Sequence, residues 1–376
     1  MPKTKVLVAA LATAMFLVSA CSPAKVPGSW AVVDTGTGDS FYSANFVSET
    51  VGWLNGQSGR SYELPEANEN ANNNARPKKS GEKVEDPLKA NQGFEVLQTT
   101  DGGASWKAIP DQFKNKIRSV WFVDPQQGWA FTIDRNILHT ADGGTTWELQ
   151  RKAGTVKLKQ PFNRREPVID LPEPIENLRF IDAEHGWAWG GGQKNEYAEQ
   201  PGILLVTIDG GANWNEVPFP FDQNLSQVFF LDSGHAWASS FGGSFYRTTD
   251  GGLNWTKVQT KLPEDVFKSV FFTDENNGWV IGRSGRLAKT TDGGRTWKKI
   301  YEIKDEFKMN DIFFTDRKHG WAVGEQGAIL YTPDAGESWL DVGAPVPARF
   351  MDVVFVGERT GFAVGLAGAV LKYEPR

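Results

Sequence analysis

Cysteine is almost absent from this chain of 376 residues, which contains a single one. One thiol cannot build a disulfide framework within a molecule, and it cannot supply a metal site made of several thiolates. Long apolar runs are also scarce, because the mean hydropathy is -0.41 and the one extended apolar stretch lies at the amino end. The sequence therefore excludes a membrane protein with several transmembrane helices.

Basic residues do not predominate either, since 40 lysines and arginines face 46 acidic residues and the formal net charge is -6. This balance argues against a nucleic-acid-binding protein, because such proteins gain affinity by neutralising phosphates. Glycine and aromatic residues, by contrast, are abundant, with 40 Gly, 24 Phe and 15 Trp. Many tight turns and a large aromatic core are expected from this composition.

The amino end has the pattern of an export signal. Lys3 and Lys5 precede an apolar stretch over residues 6–18, which is shorter than the roughly 20 residues that span a bilayer. The next residues, Ser19-Ala20-Cys21, resemble the lipobox of bacterial lipoproteins, in which the cysteine becomes the lipidated first residue. We predict a signal peptide over residues 1–20, lipidation at Cys21 and a tether over residues 21–28. The alternative is an ordinary leader that ends near a cysteine.

The lipobox resemblance also implies a location. It describes an exported protein held by a lipid anchor on the periplasmic side of a bacterial membrane. Ser22 stands where an aspartate usually retains such lipoproteins at the inner membrane. We therefore expect the outer membrane, or the thylakoid lumen if the host is photosynthetic.

One segment, Thr-x-Asp-x-Gly-x-x-Trp, recurs along the rest of the chain with a period of about 42 residues and one enlarged unit. Upstream of each copy lies an apolar alternation that ends in Gly-Trp or its equivalent. One unit predicts strand A over residues 270–272, B over 279–281, C over 287–290 and D over 297–300. Four short antiparallel strands in such a unit have the size of one propeller blade.

The last unit, residues 351–373, stops after its third strand. An open sheet edge invites pairing with another chain, so the missing strand must come from elsewhere. The run Trp30-Ala31-Val32-Val33 has the pattern of that strand. We predict an all-β fold over residues 29–376, a seven-bladed propeller of four-stranded antiparallel blades whose last blade is closed by the N-terminal strand.

Six aspartates define the recurring segment. An aspartate at a turn can accept hydrogen bonds from nearby backbone N–H groups, and the glycines after it tolerate positive φ. The segments resemble the Asp-box, or BNR repeat, of sialidases, some glucanases and non-catalytic propellers. We interpret the six as structural and expect no metal site and no catalytic residue among them. They are Asp101, Asp142, Asp209, Asp250, Asp292 and Asp334.

Tryptophan follows the same repeat. Twelve of the 15 tryptophans occupy two repeat positions, one at the start of strand B and one at the end of the Asp-box. This regularity predicts packing between blades and argues against a cofactor site. The strand B set is Trp53, Trp129, Trp187, Trp237, Trp279 and Trp321, and the Asp-box set is Trp106, Trp147, Trp214, Trp255, Trp297 and Trp339.

The linked pattern of strand A, Gly-Trp-Ala-Val-Gly, Gly-x-Ile-Leu and the Asp-box covers nearly the whole mature chain. It is similar to the photosystem II stability and assembly factor family of cyanobacteria and chloroplasts. The resemblance implies a seven-bladed propeller that binds a partner subunit during assembly, catalyses no reaction and needs no cofactor. Three long insertions depart from the compact family pattern.

The insertions cover residues 61–93, 150–176 and 191–201, which lie in B–C or D–A connections and so on one face of the propeller. Insertions on one face of a repeat protein often form its binding surface. The second contains six basic residues and no acidic one over residues 151–165, a pattern that attracts an anionic partner. Acidic residues just after it leave open the alternative of a solvated loop. The six are Arg151, Lys152, Lys157, Lys159, Arg164 and Arg165.

The sequence thus favours a tethered, non-catalytic scaffold that binds another envelope or membrane protein, in the assembly or stability of a membrane complex such as a photosystem. One alternative is a sialidase- or glucanase-like hydrolase, although the Arg-Ile-Pro segment of sialidases is absent and no carboxylate pair stands out. Another is a glycan-binding module that uses exposed aromatics of the insertions, such as Phe162 or Tyr197.

The lipid anchor gives the first testable prediction. We expect Cys21→Ser to move the protein from the membrane fraction to the soluble fraction, because the lipid chain supplies the membrane affinity. Ser22→Ala, which leaves the cysteine in place, is the matched control. Fractionation that is identical for Cys21→Ser and the unmodified chain would contradict the anchor.

Overall fold

The computed structural model describes residues 26–57, 94–110, 117–158, 169–191, 202–218, 221, 224–241, 243–260, 267–282, 285–302 and 308–376. The predicted signal peptide and Cys21 lie outside these residues. Among the described residues, no helix is long and apolar enough to cross a membrane. The helical content of this part of the chain is one short 3-10 turn, Glu325–Gly327.

Seven four-stranded antiparallel sheets form the blades. Blades 1 to 3 consist of β2 (Ser40–Phe46), β3 (Gly52–Gln57), β4 (Phe94–Thr99) and β5 (Lys107–Ala108); β6 (Ile117–Phe122), β7 (Gly128–Thr132), β8 (Ile137–Thr140) and β9 (Glu148–Arg151); and β12 (Asn177–Phe180), β13 (Gly186–Gly190), β14 (Ile203–Thr207) and β15 (Asn215–Val217). A separate hairpin, β10 (Thr155–Leu158) with β11 (Ile169–Pro172), lies in the connection between blades 2 and 3.

The other blades repeat this order. Blades 4 to 6 consist of β16 (Leu225–Phe230), β17 (Ala236–Ser240), β18 (Phe245–Thr248) and β19 (Thr256–Val258); β20 (Phe267–Phe272), β21 (Gly278–Gly282), β22 (Arg286–Thr290) and β23 (Lys298–Glu302); and β24 (Met309–Phe314), β25 (Gly320–Gly324), β26 (Ile329–Thr332) and β27 (Leu340–Asp341). Blade 7 contains β28 (Phe350–Val356), β29 (Thr360–Gly365), β30 (Val370–Pro375) and β1 (Gly28–Val32).

The N-terminal strand closes the ring. β1 pairs antiparallel with β30, with Trp30 opposite Tyr373, and becomes the outer strand of blade 7. The predicted all-β propeller of seven blades with N-terminal closure is therefore confirmed. The strand starts two residues before the predicted Trp30, at Gly28.

The hydrophobic core lies between blades. Each of seven clusters of buried side chains combines residues of two neighbouring blades. At five junctions, a strand B tryptophan lies face to face on the last phenylalanine of strand A in the next blade. The ring centroids are 3.6 Å apart for Trp53–Phe122, 3.6 Å for Trp129–Phe180, 3.9 Å for Trp187–Phe230, 3.6 Å for Trp237–Phe272 and 3.7 Å for Trp279–Phe314.

Four of these five indoles also form a hydrogen bond with the Asp-box turn of the next blade. The Nε1–H group donates to a backbone carbonyl of the Asp-box turn, in the pairs Trp129–Gly210 at 3.0 Å, Trp187–Gly251 at 2.7 Å, Trp237–Gly293 at 2.9 Å and Trp279–Ala335 at 2.8 Å. A buried tryptophan usually needs such a partner. One side chain thus fixes both the inner strand and the turn of its neighbour.

The Gly-Trp dipeptide requires a glycine for a steric reason. A Cβ atom on Gly278 would lie 2.4 Å from the ring of Phe272, on the adjacent strand of the same blade. The absence of that atom lets the phenylalanine lie flat over the strand and present its face to the tryptophan of the preceding blade. Blade 4 has Ala236 at this position, and its Trp187–Phe230 pair is tilted by 22°.

The two junctions of blade 7 use other aromatics. Phe362 replaces the strand B tryptophan and stacks on Phe46 of blade 1 at 4.0 Å. Blade 7 has no Asp-box, and Trp30 of the closing strand contacts Phe355 edge-on at 5.8 Å and Trp321 at 5.4 Å. The N-terminal strand therefore supplies the ring that an Asp-box tryptophan supplies elsewhere.

These stacks predict a large cost for truncation. Trp279 is fully buried, and we expect Trp279→Ala to lower the free energy of unfolding by about 3–5 kcal/mol, because it leaves a cavity between blades 5 and 6. Leu253→Ala is the control, since Leu253 is 54% exposed on an Asp-box turn and its loss should cost less than about 0.5 kcal/mol. Denaturant unfolding measures both, and equal midpoints for the two variants would refute the role of the stack.

Candidate functional site: the loop-bearing rim and the central channel

Each Asp-box is a closed hydrogen-bonded turn. In blade 5, Asp292 Oδ1 accepts hydrogen bonds from Thr290 Oγ1 and Thr296 N, both at 2.8 Å, and Oδ2 accepts from Thr296 Oγ1 at 2.6 Å. Gly293 and Gly294 both have positive φ, 73° and 85°. The same Thr–Asp bond is present in all six boxes, at 2.8 or 2.9 Å.

The carboxylates of these turns are held in their charged form. Hydrogen bonds from Ser105 and Thr99 lower the pKa of Asp101 to about 2. The pKa of Asp292 is also lowered, because hydrogen bonds from Thr296 and Thr290 outweigh the opposing effect of burial. Each carboxylate is therefore engaged by its own turn, on the rim where strands C and D connect.

The opposite rim carries the enlarged connections. They join β3 to β4, β9 to β12 and β13 to β14, and all begin and end at the strand ends that lie away from the Asp-boxes. We call this surface the loop-bearing rim. Residues 58–93, 159–168 and 192–201 lie outside the described part of the chain. The hairpin β10–β11 occupies the middle connection.

The predicted basic patch is only partly described. Arg151 makes two hydrogen bonds to the carboxylate of Glu173, at 2.6 and 3.0 Å, and both side chains are largely buried. Burial alone would raise the pKa of Glu173, but hydrogen bonds from Arg151 and Gly154 lower it. Lys152 is exposed, and Lys157 lies in β10. Lys159, Arg164 and Arg165 lie outside the described residues.

Arg151 therefore has a structural contact. Its salt bridge joins the end of blade 2 to the segment that leads into blade 3. Nearby, the guanidinium of Arg135 donates to the carbonyl of Ile175. Both contacts fix the base of the inserted connection, and the partner-binding role of Arg151 stays a prediction.

The inner strands enclose a central channel with a cavity of about 760 Å³. Two layers of side chains line it. The layer nearer the loop-bearing rim is polar and consists of Ser43, Ser119, Asn177, Gln227, Ser269, Asp311 and Asp352. Two residues further along the strands, the second layer is mostly aromatic and contains Trp121, Arg179, Phe229, Phe271, Phe313 and Val354.

Over part of the ring, side chains of one blade accept hydrogen bonds from backbone N–H groups on the inner strand of the next blade. The bonds run from Ile312 N to Ser269 Oγ at 3.4 Å, Val353 N to Asp311 Oδ2 at 3.0 Å, Ala44 N to Asp352 Oδ2 at 2.8 Å and Val120 N to Asn55 Oδ1 at 2.8 Å. In the register-equivalent residues Leu178, Val228 and Val270, the N–H group has no acceptor within the described residues. We call the inner strands of blades 2 to 5 the open arc.

Asp311 and Asp352 form a carboxyl pair on adjacent strands. Burial raises the pKa of both groups, and the charge of Asp311 raises that of Asp352 further. The two side chains hydrogen-bond to each other, which requires a proton on one of them. The proton is best assigned to Asp352, whose pKa is raised the more strongly.

Arg179 projects from blade 3 into the same channel. Its guanidinium lies 4.6 Å from the ring of Trp121 and 5.7 Å from that of Phe229. Burial lowers its pKa to about 10, against the opposing charges of Asp352 and Asp311, so it stays protonated at neutral pH. Its Nε atom is buried without a hydrogen-bond partner among the described residues.

Sequence reasoning did not identify this channel group. The available signal was the alternation within strand A, where Asp311 and Asp352 interrupt otherwise apolar runs at the same register position. Arg179 likewise stands where four of the other blades have Phe or Trp. No group of three or more potential metal ligands occurs in the described part of the chain, so the expected absence of a metal site stays a prediction.

Comparison with known proteins bears on the family. The sequence model of the family described as "Photosynthesis system II assembly factor YCF48" matches residues 98–256, 211–304 and 300–374, which together cover most of the chain. The chain is 31% identical over 160 residues to the "Photosystem II assembly lipoprotein Ycf48" of Synechococcus sp. (strain CC9902), a match that covers 42% of this chain and 40% of that protein.

A second curated relative is more distant. The chloroplastic "Photosystem II stability/assembly factor HCF136" of Arabidopsis thaliana is 28% identical over 134 residues, which cover 35% of this chain and 28% of that protein. The chain thus spans less than half the length of the curated relatives that it matches.

Solved structures share the fold. One described as "YCF48 bound to D1 peptide" has a TM-score of 0.64 and 18% identity, with 94% of this chain and 96% of that chain covered. YCF48 from Cyanidioschyzon merolae has a TM-score of 0.63 and 19% identity, with 92% and 99% covered. A virginiamycin B lyase from Staphylococcus aureus has a TM-score of 0.62 at 10% identity, with 92% and 98% covered, so the fold alone does not separate binders from enzymes.

The carboxyl pair predicts an unusual pH dependence. A raised folded-state pKa means that the folded protein keeps a proton that the unfolded chain loses above about pH 4, so this contribution to stability falls as pH rises through the folded pKa. In Asp352→Asn the amide still accepts from Ala44 N and can donate to Asp311. We expect its melting temperature to exceed that of the unmodified protein by about 1–2 °C at pH 8, a shift of about 1 kcal/mol for a domain of this size.

The difference should shrink as the pH is lowered toward 5, because the raised pKa of Asp352 favours retention of the shared proton at lower pH. Thermal unfolding between pH 5 and 9 measures this. Glu358→Gln, at an exposed turn of blade 7, is the control and should follow the unmodified protein at every pH. An Asp352→Asn curve parallel to the unmodified one would rule out the shared proton.

Proposed function

The chain belongs to the photosystem II assembly factor YCF48 family, and from that premise we propose that it is a non-catalytic propeller scaffold that binds a membrane-protein subunit during assembly of its complex. The single observation that carries this proposal is the difference between the connections on the two rims. One rim is occupied by Asp-box turns, whereas the other carries every enlarged connection around the mouth of the channel.

A rigid platform with loops on one rim suits a binding protein. Pre-organised surfaces lose little conformational entropy on association, so their contacts contribute more fully to affinity. The relative described as "YCF48 bound to D1 peptide" suggests the class of partner, a segment of a membrane protein. We propose a D1-like subunit as the partner of this chain, contacted through the loop-bearing rim.

The carboxylates support a role without catalysis. A glycoside hydrolase needs one carboxyl group as acid and a second, free carboxylate as base or nucleophile. Here the six Asp-box carboxylates are engaged by their own turns, and Asp311 and Asp352 bond to each other and to backbone N–H groups. None of these eight groups is free to act as a nucleophile.

The location is part of the proposal. We infer an exported protein anchored through Cys21 at the membrane that contains the partner, on its periplasmic or lumenal side. The names of the relatives, a lipoprotein and a chloroplast protein, support export and membrane association. They give no support for the outer membrane that Ser22 suggested.

The proposal predicts that partner capture depends on the basic insertion. We expect the combined change of Lys152, Lys157, Lys159, Arg164 and Arg165 to glutamine to reduce capture of the partner at least tenfold, because it removes five positive charges from the connection between blades 2 and 3. Arg151 stays in place because its salt bridge with Glu173 is structural. Binding to immobilised D1 peptide and co-purification from host membranes measure capture.

The matched control neutralises five exposed basic residues away from the loop-bearing rim, namely Lys107, Arg295, Lys298, Arg317 and Lys318. It changes the net charge equally and should leave capture within about twofold, since distant charges are largely screened. An equal loss of capture with both variants would indicate non-specific charge attraction. Capture that is unchanged in both variants would rule out the loop-bearing rim as the binding surface.

A further inference from the structure

We propose that the open arc of the channel contains a carboxylate-binding subsite centred on Arg179. The proposal goes beyond partner capture by the loop-bearing rim, and it stands or falls independently of it. It rests on three observations: a guanidinium without an ion-pair partner in the described residues, a channel lining with more positive than negative charge, and uncapped donors above the guanidinium.

Arg179 has no anionic partner. None of the described residues forms an ion pair with it, and its Nε has no acceptor. Trp121 lies against the guanidinium at 4.6 Å, which fixes the plane of the group without using its N–H donors. A planar guanidinium held in this way presents the parallel N–H bonds that match a carboxylate.

The acidic residues of the channel only partly offset its basic ones. The lining contains Arg118, Arg179 and Lys268 against Glu176, Asp311 and Asp352, and the charges of the last two act on Arg179. Asp311 and Asp352 lie on the opposite side of the ring, bonded to each other and to Val353 N and Ala44 N. The proton that they share removes one of their two negative charges. The lining as a whole therefore keeps a net positive charge, with three basic groups against two negative ones, and an incoming anion can compensate it.

Further donors lie between Arg179 and the loop-bearing rim. Asn177 and Gln227 occupy the polar layer on the two sides of the junction between blades 3 and 4. Between the inner strands of these two blades no side-chain bridge is present in the described residues, in contrast to the bonded junctions of blades 5 to 2. The uncapped N–H group of Val228 adds a backbone donor at the same place.

The depth of Arg179 in the channel limits which ligands can reach it. Arg179 lies in the second layer, two strand residues or roughly 7 Å below the polar layer, so a folded surface cannot reach it. A small free carboxylate or the terminal carboxylate of a polypeptide can. Arg118, which lies above Phe131 at 5.6 Å near the channel mouth, adds positive charge on the path of entry.

The test is a titration of the full mature chain, observed through the side-chain 15N–1H signal of the arginine Nε groups. The probes are acetate, succinate, N-acetyl-pentaalanine with a free carboxyl end, and the same peptide with a carboxamide end. We expect saturable shifts of the Arg179 signal with the first three probes and at least tenfold weaker binding of the carboxamide. If the peptide with the free carboxyl end binds more tightly than acetate, the ligand is the carboxyl terminus of a polypeptide. Equal affinities identify a small free carboxylate.

Arg179→Gln should abolish the saturable binding of every carboxylate probe, as measured by calorimetry, and Arg179→Lys should weaken it because a lysine lacks the planar pair of donors. Arg317→Gln, an equal change at the exposed A–B turn of blade 6, should bind as the unmodified protein does. Circular dichroism and the melting temperature check that each variant is folded. Binding that ignores Arg179, or carboxamide binding equal to that of the acid, would overturn the proposal.

Discussion

The stack of a tryptophan on the phenylalanine of the next blade is the contact on which the rest of this propeller depends. A four-stranded blade cannot bury both of its faces by itself, and the seven apolar clusters accordingly lie between blades. At four junctions the indole also donates a hydrogen bond to the neighbouring Asp-box, so that one side chain fixes the inner and outer parts of the next blade together. A ring built only from such junctions has to close, and Trp30 provides the ring that the last junction lacks.

This packing makes the two rims chemically different. Asp-boxes need their Thr, Asp and Gly residues for internal hydrogen bonds, so the rim that carries them has little freedom to change. Among the described residues, the opposite connections supply no ring to the five tryptophan–phenylalanine stacks. They can lengthen at small cost, since the entropy of closing a loop grows slowly with its length. The enlarged connections therefore start and end on the rim where the fold tolerates extra residues.

The fold could be predicted from the sequence because its determinants repeat. The spacing of Asp292 and Trp297, the Gly-Trp dipeptide and the incomplete last unit each reflect a local requirement that every blade shares. The channel could not be predicted, because it depends on side chains that meet across blades. Asp311 and Asp352 are far from Arg179 in the chain, and only the register of the inner strands brings them into one cavity. For the same reason the sequence assigned Arg151 to a binding patch, although Glu173 holds it.

Inside the channel, the inner strand of blade 3 departs from the pattern of the other blades. A serine such as Ser269 is enough to cap the inner edge of the next strand, and a phenylalanine such as Phe271 is enough to fill the second layer. Stability alone would therefore be served by the same residues in blade 3. Its inner strand instead carries a cation without a partner beside a strand edge without a cap, an arrangement that costs free energy in the unliganded protein. The carboxylate ligand proposed for the channel would offset that cost, because it would pair with the guanidinium.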